Sequence, residues 1–306
     1  MSDRINNPLA VTIAGVELAN PVMTASGTFG SGMEYSEYLE LNRLGAVVTK
    51  GVADVPWEGN GTPRVAETPS GMLNAIGLQN PGIDVFLERD LPFLKDKGTR
   101  IIVNVCGHTE EEYLRVVERL QDEPVDLLEI NISCPNVKEG GIAFGQDPHG
   151  VEKITRMIKD KAKQPVIMKL SPNVTDITEI ARAAEAGGAD ALSLINTITG
   201  MKIDVYRRSF VLSNKTGGLS GPAIHPVAVR MVWQCARAVS LPLIGMGGVQ
   251  STEDALELIL AGATGVAVGT ATFAQPDAAL AIIDGLKKYV KEQKLESIRE
   301  IIGAVR

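Results

Sequence analysis

The chain is poor in several residue types, and each shortage excludes something. Three cysteines and three histidines are spread over 306 residues, and aromatic residues make up only 4%. Cys106, Cys134 and Cys235 are too few and too scattered for a disulfide framework or a zinc site. They point to a reducing compartment. Basic residues are not in excess: the net charge is −7. That argues against a nucleic-acid-binding or anionic-membrane surface, although it leaves room for a local basic pocket. No apolar run approaches the roughly 20 residues needed to span a bilayer. The opening residues MSDRINNPLA carry neither the apolar core of a signal peptide nor an Arg-rich presequence, so a cytoplasmic protein is expected. Solenoid repeats, low-complexity tracts and linker-like stretches are also missing. What remains is 44% hydrophobic and 22% charged, with 31 glycines and 16 prolines. Such a chain can bury a real core and make many short connections. A single domain over 1–306 is expected, since α/β barrels reach this size as one unit.

A short hairpin is predicted first, alternating around Gly15 within Leu9–Leu18. Eight apolar runs rich in Val, Ile and Leu follow: Pro21–Ser26, Ala46–Lys50, Ile101–Val105, Leu127–Ile132, Val166–Leu170, Ala191–Asn196, Leu241–Met246 and Gly265–Gly269. Near-continuous apolar strands mean burial on both faces, as in a parallel sheet. Helical patterns intervene, with Thr caps at Thr109, Thr175 and Thr252 and Pro near the starts of Pro148–Ala162 and Pro226–Val239. The tail Leu286–Arg306 reads as a solvated closing helix. Strands alternating with helices predict an α/β fold, a (β/α)8 TIM barrel with an N-terminal β-hairpin. A doubly wound open sheet is the rival. The connections 51–98, 135–150 and 197–221 are unusually long. All three follow strand C-termini, the face where barrels place their chemistry.

The strand ends carry unusual residues. Thr24–Gly30 is a run of small residues that either admits a flat ligand or is a plain turn. Lys50 and Lys169 each end an apolar strand. A buried ammonium must meet an anion or lose its proton. The pair implies an anionic ligand or a Schiff-base role, and the alternative for either is a structural carboxylate. Asn104, Asn131 and Asn196-Thr197 lie on or after strands, and Asn74 lies in the long loop after strand 2. Amides in an apolar setting need partners, and four of them suit a neutral ring presenting donors and acceptors. The turns Gly247-Gly248 and Gly269-Thr270 follow strands 7 and 8, where many barrels bind phosphate through backbone N–H groups and a helix N-terminus. Cys134 lies beside a Gly-rich loop with the character of a lid, which favours it narrowly over Cys106 as a reactive group. Cys235 reads as packing. His108, His149 and His225 read as surface or capping residues, without metal-ligand spacing.

Taken in order, Thr24-Ala-Ser-Gly-Thr-Phe-Gly30, Thr49-Lys-Gly51, Asn74-Ala-Ile-Gly-Leu-Gln-Asn-Pro-Gly82, Asn131-Ile-Ser-Cys-Pro-Asn136, Gly217-Gly-Leu-Ser-Gly-Pro-Ala223 and Ile244-Gly-Met-Gly-Gly248 resemble the dihydroorotate dehydrogenases, over about residues 8–285. The nearest type is the catalytic chain of the NAD-dependent, class 1B bacterial enzymes. The resemblance implies an FMN barrel of pyrimidine biosynthesis that oxidises (S)-dihydroorotate to orotate. It implies Cys134 as the base, with Lys50 also in the catalytic site. It implies that Lys50, Asn74, Ala75, Ile76, Gly77, Leu78, Asn131, Asn196 and Thr197 hold the substrate. It further implies that Ser26, Lys50, Gly51, Asn104, Asn131, Lys169, Ile195, Gly221, Gly247, Gly248, Gly269 and Thr270 surround FMN, with Lys169 facing negative charge on the reduced ring.

The membrane-bound type of this family uses a serine base and an N-terminal helical extension, so Cys134 and the short N-terminus argue against it. The fumarate-dependent class 1A type also uses cysteine and stays open as an alternative. The segments Thr68–Asn74 and Gln79–Gly82 resemble class 1B more. That class implies one FMN on this chain, and FAD and a 2Fe-2S cluster on a partner electron-transfer subunit that delivers to NAD+. It implies a homodimer core within a heterotetramer. Three cysteines cannot ligate such a cluster here. Three other readings compete: another FMN barrel acting on a pyrimidine ring, a Schiff-base lyase barrel using Lys50 or Lys169, and a non-catalytic binding protein on a barrel scaffold.

Overall fold

The computed structural model describes residues 7–132 and 144–305. Strands β1 (Val11–Ile13) and β2 (Val16–Leu18) form the predicted hairpin. Its two-residue turn, Ala14-Gly15, has positive φ at both positions, the turn that matches strand twist. Its inward residues Val11, Ile13 and Leu18 are buried. Ile13 packs against Gly265, at the start of the last barrel strand, so the hairpin plugs the end of the barrel opposite the chemistry.

The barrel strands in chain order are β3 (Val22–Thr24), β4 (Val47–Val48), then, beyond β5 (Val65–Thr68) and β6 (Gly71–Asn74), β7 (Ile101–Val105), β8 (Leu127–Asn131), β9 (Val166–Lys169) and β10 (Ala191–Leu194). The excursion β11 (Ile198–Met201), β12 (Ile203–Asp204), β13 (Ser209–Phe210) and β14 (Thr216–Ser220) precedes the last two, β15 (Leu243–Met246) and β16 (Gly265–Val268). The eight barrel strands form one parallel sheet in the order β3-β16-β15-β10-β9-β8-β7-β4. A bridge between Met23 and Ala46 joins its two ends. Regular pairing is thin at this seam. The Thr24 hydroxyl completes it, donating to Val48 O at 3.2 Å and accepting from Val48 N at 2.9 Å. All eight predicted runs coincide with these strands, because burial on both faces leaves no alternation to misread.

The outer helices are amphipathic with readable caps. Those of the long second connection are α1 (Gly82–Val85), a π-helical turn over Phe86–Asp90 and α2 (Leu91–Asp96). Helix α3 (Glu110–Leu120) starts at Thr109, whose hydroxyl accepts from Glu112 N at 3.3 Å. It buries Tyr113, Val116, Val117 and Leu120, one face of a 3.6-residue repeat. The others are α4 (Pro148–Lys159), α5 (Ile177–Ala186), α6 (His225–Ala238), α7 (Thr252–Ala261), α8 (Ala271–Ala274) and α9 (Ala278–Glu292). The caps of α5 and α7 are Asp176 and Ser251, one residue away from the predicted Thr175 and Thr252. The tail is helical only to Glu292. A left-handed Lys294 ends that run, and a short 3-10 turn, Ile298–Ile301, follows, so Leu286–Arg306 is not one helix.

The largest departure lies in the connections expected to be loops. Strands β11, β14, β6 and β5 form a four-stranded antiparallel sheet, in that order, from the 51–98 and 197–221 segments. Strands β12 and β13 pair as a separate hairpin. No helix of the described residues is long and apolar enough to cross a membrane.

Candidate active site

The C-terminal ends of the barrel strands open into one cavity of about 400 Å³. Its floor comes from strand ends: Ser26 after β3, Lys50 after β4, Asn131 of β8, Lys169 of β9, Ile195–Thr197 after β10, Gly247 and Gly248 after β15, and Gly269 and Thr270 after β16. Its roof comes from the antiparallel sheet. Asn74 ends β6, and Ala75, Ile76, Gly77 and Leu78 continue along the cavity. Sixteen of the residues expected at the site therefore meet around one space: Ser26, Lys50, Asn74–Leu78, Asn131, Lys169, Ile195–Thr197, Gly247, Gly248, Gly269 and Thr270. Gly51, Asn104 and Gly221 do not line it and stand behind those that do. Cys134 lies outside the described residues.

The roof sits close to the floor. A Cβ at Gly218 of β14 would fall 2.0 Å from Thr197 Oγ1, so only glycine lets the strand pass there. Thr270 Oγ1 donates to Ser220 Oγ at 2.9 Å, tying the end of β14 to the turn after β16. Asn74 Nδ2 donates to Gly218 O at 3.4 Å within the roof. Asn173 Nδ2 donates to Thr197 O at 3.0 Å, and Thr197 N donates to Asn196 Oδ1 at 2.8 Å. Ser171, Asn173, Thr216 and Ser220 line the cavity and were not anticipated. Ser171 and Asn173 had the same signal as Asn196: polar residues just past the end of a buried strand.

The two lysines differ. Lys50 is half-buried on the cavity wall. Burial pushes its ammonium below the ordinary lysine value, and the charges of Lys169 and Arg64 push the same way, against an opposing contribution from Cys106. Lys169 is almost fully buried and has a carboxylate nearby: its Nζ lies 3.8 Å from Glu129 Oε1. The structural-carboxylate alternative thus holds for Lys169, and its burial alone does not demand an anionic ligand. Glu129 was missed. It is a charge inside an apolar strand, the feature that singled out the lysines.

The glycine turns form a cradle. Gly248 has φ +71°, and a Cβ there would lie 2.7 Å from Gly221 O and 2.8 Å from His225 Cβ. The start of α7 is capped from within by Ser251 and Asp254, whereas the short helix α8 begins at Ala271, directly after the lining residues Gly269 and Thr270. The backbone of the two turns is what faces the space. His225 is not a surface residue: it is buried, with Nδ1 2.8 Å from Gly247 O and Nε2 3.1 Å from Glu257 Oε2. It braces the first turn from below. His108 packs against Trp57, with 3.8 Å between ring centroids and the rings tilted by 40°.

These residues fit a flat, phosphate-bearing cofactor such as FMN. At the turns a Cβ on Gly247 would lie 2.8 Å from Ala228 Cβ and one on Gly248 2.7 Å from Gly221 O, so these positions take only glycine, and behind the lining Asn104 Oδ1 is a buried acceptor with no partner among the described residues. Of the described cysteines, Cys235 is buried packing, its thiol pushed up to about 12, chiefly by burial. Cys106 is buried and does not line the cavity. No group of three or more metal-ligating side chains occurs among the described residues.

Comparison with known proteins gives a consistent picture. The family model described as dihydroorotate dehydrogenase matches residues 8–290. A Lachnoclostridium phytofermentans protein named dihydroorotate dehydrogenase B (NAD(+)), catalytic subunit, is 67% identical over 97% of this chain and 99% of its own length. Proteins of the same name from Alkaliphilus metalliredigens and Thermoanaerobacter pseudethanolicus are 60% and 54% identical, each over 97% of this chain and 98% and 99% of their own.

Proposed function

The chain belongs to the dihydroorotate dehydrogenase family, and from that premise we propose that it is the catalytic subunit of an NAD+-linked enzyme oxidising (S)-dihydroorotate to orotate in pyrimidine biosynthesis. The observation that carries the proposal is one cavity lined by two chemically different sets of residues, which we read as its two ends. One end is made of glycine backbone, and the other of Lys50 and the amides of Asn74, Asn131 and Asn196.

FMN, when bound, supplies the hydride acceptor. The turns at Gly247-Gly248 and Gly269-Thr270 would hold its phosphate through backbone N–H groups. Ser26, Lys169 and Ile195 would surround the rest, backed by Gly51, Asn104 and Gly221. Lys50 would take the substrate carboxylate. Its lowered proton affinity makes an anion the natural means of keeping it charged. Asn74, Asn131, Asn196 and Thr197 offer donors and acceptors that match the edge of a pyrimidine dione, and the Ala75–Leu78 backbone closes over it. Cys134 would accept the proton from the ring carbon beside the carbonyl. It follows the cavity residue Ile132 by two positions in the chain, and Cys106 offers no competing thiol on the lining. A thiol of ordinary pKa, about 8.5, is mostly protonated at neutral pH, so proton abstraction should quicken as pH rises.

The relatives' name implies a partner subunit. We assign to that partner the FAD and 2Fe-2S cluster that pass electrons to NAD+, since three cysteines fall short of a cluster's four. A homodimer of this chain at the core of a heterotetramer, in the cytoplasm, completes the proposal. Family membership and the Lys169–Glu129 pair both weigh against the Schiff-base lyase.

The test is anaerobic. The purified chain should show a flavin spectrum that bleaches with dihydroorotate, and analogues lacking the carboxylate should bleach it poorly. NAD+ reduction should require the partner subunit. A flavin spectrum indifferent to dihydroorotate would overturn the substrate assignment, and a chain that takes up no flavin would overturn the cofactor.

A further inference from the structure

Among the described residues Glu129 is the least exposed charged side chain. It lies in β8 two residues before Asn131, is 1% exposed, and pairs in register with Asn104 of β7. Its Oε1 accepts from Asn104 Nδ2 at 2.6 Å and stands 3.8 Å from Lys169 Nζ. Its Oε2 accepts from Ser193 Oγ at 2.7 Å. Two hydrogen-bond donors and an ammonium thus surround this carboxylate in an apolar interior. Glu129 does not line the cavity, but Lys169 does. The charge that Lys169 shows to the cavity is therefore partly offset by the carboxylate behind it.

We propose that Glu129 is a positioning residue that sets how much positive charge Lys169 presents to the bound flavin, and so keeps the flavin from being over-stabilised when reduced. The inference rests on the flavin reading of the cavity. Accepting a hydride adds one negative charge to the ring. A lone buried ammonium close by would bind that charge strongly, because charge interactions grow as the surroundings become less polar. Electrons held that tightly would be slow to leave for the next acceptor. Glu129 offsets part of the lysine charge from below, without touching substrate or cofactor.

The test uses the flavin-loaded full chain and an anaerobic redox titration of its spectrum. Glu129→Gln keeps the size and a hydrogen bond to Asn104 while removing the charge. At fixed redox poise the ratio of reduced to oxidised flavin should rise at least tenfold, about 30 mV for a two-electron couple. Ser193→Ala removes a donor from Glu129 and leaves its charge less compensated. Its shift should have the opposite sign, and it decides the matter alone if the glutamine variant fails to retain flavin. Shifts of the same sign, or none, would overturn the inference while leaving the flavin reading intact. A wild-type chain that binds no flavin overturns the flavin reading, and this inference with it.

Discussion

The two ends of the cavity solve recognition in opposite ways. Around Gly247, Gly248 and Gly269 the protein presents backbone, and at the first two a Cβ would strike the protein behind the turn. Around Lys50, Asn74, Asn131 and Asn196 it presents functional groups on side chains, anchored by strand ends below and an antiparallel roof above. Backbone N–H groups do not titrate, so the first end should bind its anion over a wide pH range. The second end depends on an ammonium that burial has already made easier to deprotonate. One end is suited to a resident group, the other to a ligand that must arrive and leave.

That contrast can be tested by substitution, starting with the largest expected effect. Cys134→Ser should slow flavin reduction by about 10²- to 10⁴-fold at neutral pH, the usual contribution of a general base, while flavin stays bound. Stopped-flow mixing with dihydroorotate checks this, and near-normal reduction would remove Cys134 from the chemistry. Gly248→Ala should act only on the other end. The new methyl meets Gly221 O at 2.7 Å at a positive φ, so strain and crowding together should weaken flavin retention by about 3 kcal/mol, roughly 150-fold. The flavin-to-protein absorbance ratio reports it. Lys50→Ala should leave most flavin in place and raise the KM for dihydroorotate roughly 30-fold, about 2 kcal/mol for a charge-assisted hydrogen bond. In the unsubstituted chain the same KM should rise with pH, because the carboxylate binds only the charged lysine. This limb should begin below the ordinary lysine value of 10.5 and vanish in the alanine variant. Asn74→Ala should cost least, about 1 kcal/mol or roughly fivefold in KM, because a neutral hydrogen bond is lost at a half-buried position.

The two ends were also unequally legible in the sequence. Every barrel strand was readable, since a strand buried on both faces is a continuous apolar run. The glycine turns were readable because their place after strands 7 and 8 carries the meaning. The roof was not. Strand β14 reads Thr216-Gly-Gly-Leu-Ser220, and Val65–Thr68 is half exposed, so neither shows the apolar density of a core strand. Asn74 was recognised by its chemistry, while the sheet that delivers it stayed hidden. Glu129 was overlooked within Leu127-Leu-Glu-Ile-Asn131 although the rule applied to Lys50 and Lys169 covers it equally: a charge in a buried strand needs a partner. Lys169 and Glu129 are each other's answer. His225 looked like a helix-start residue, and only the packing of α6 under the Gly247 turn shows it as a brace.

The central claim is that one cavity holds flavin at its backbone end and substrate at its side-chain end, in contact with each other. The most direct measurement is titration of the flavin-loaded chain with orotate, the product, followed by the visible flavin spectrum. The account predicts a saturable spectral perturbation that Lys50→Ala shifts to much higher orotate concentration without loss of bound flavin. Orotate binding detected by calorimetry with no change in the flavin spectrum would contradict it, because the two ligands would then occupy separate sites.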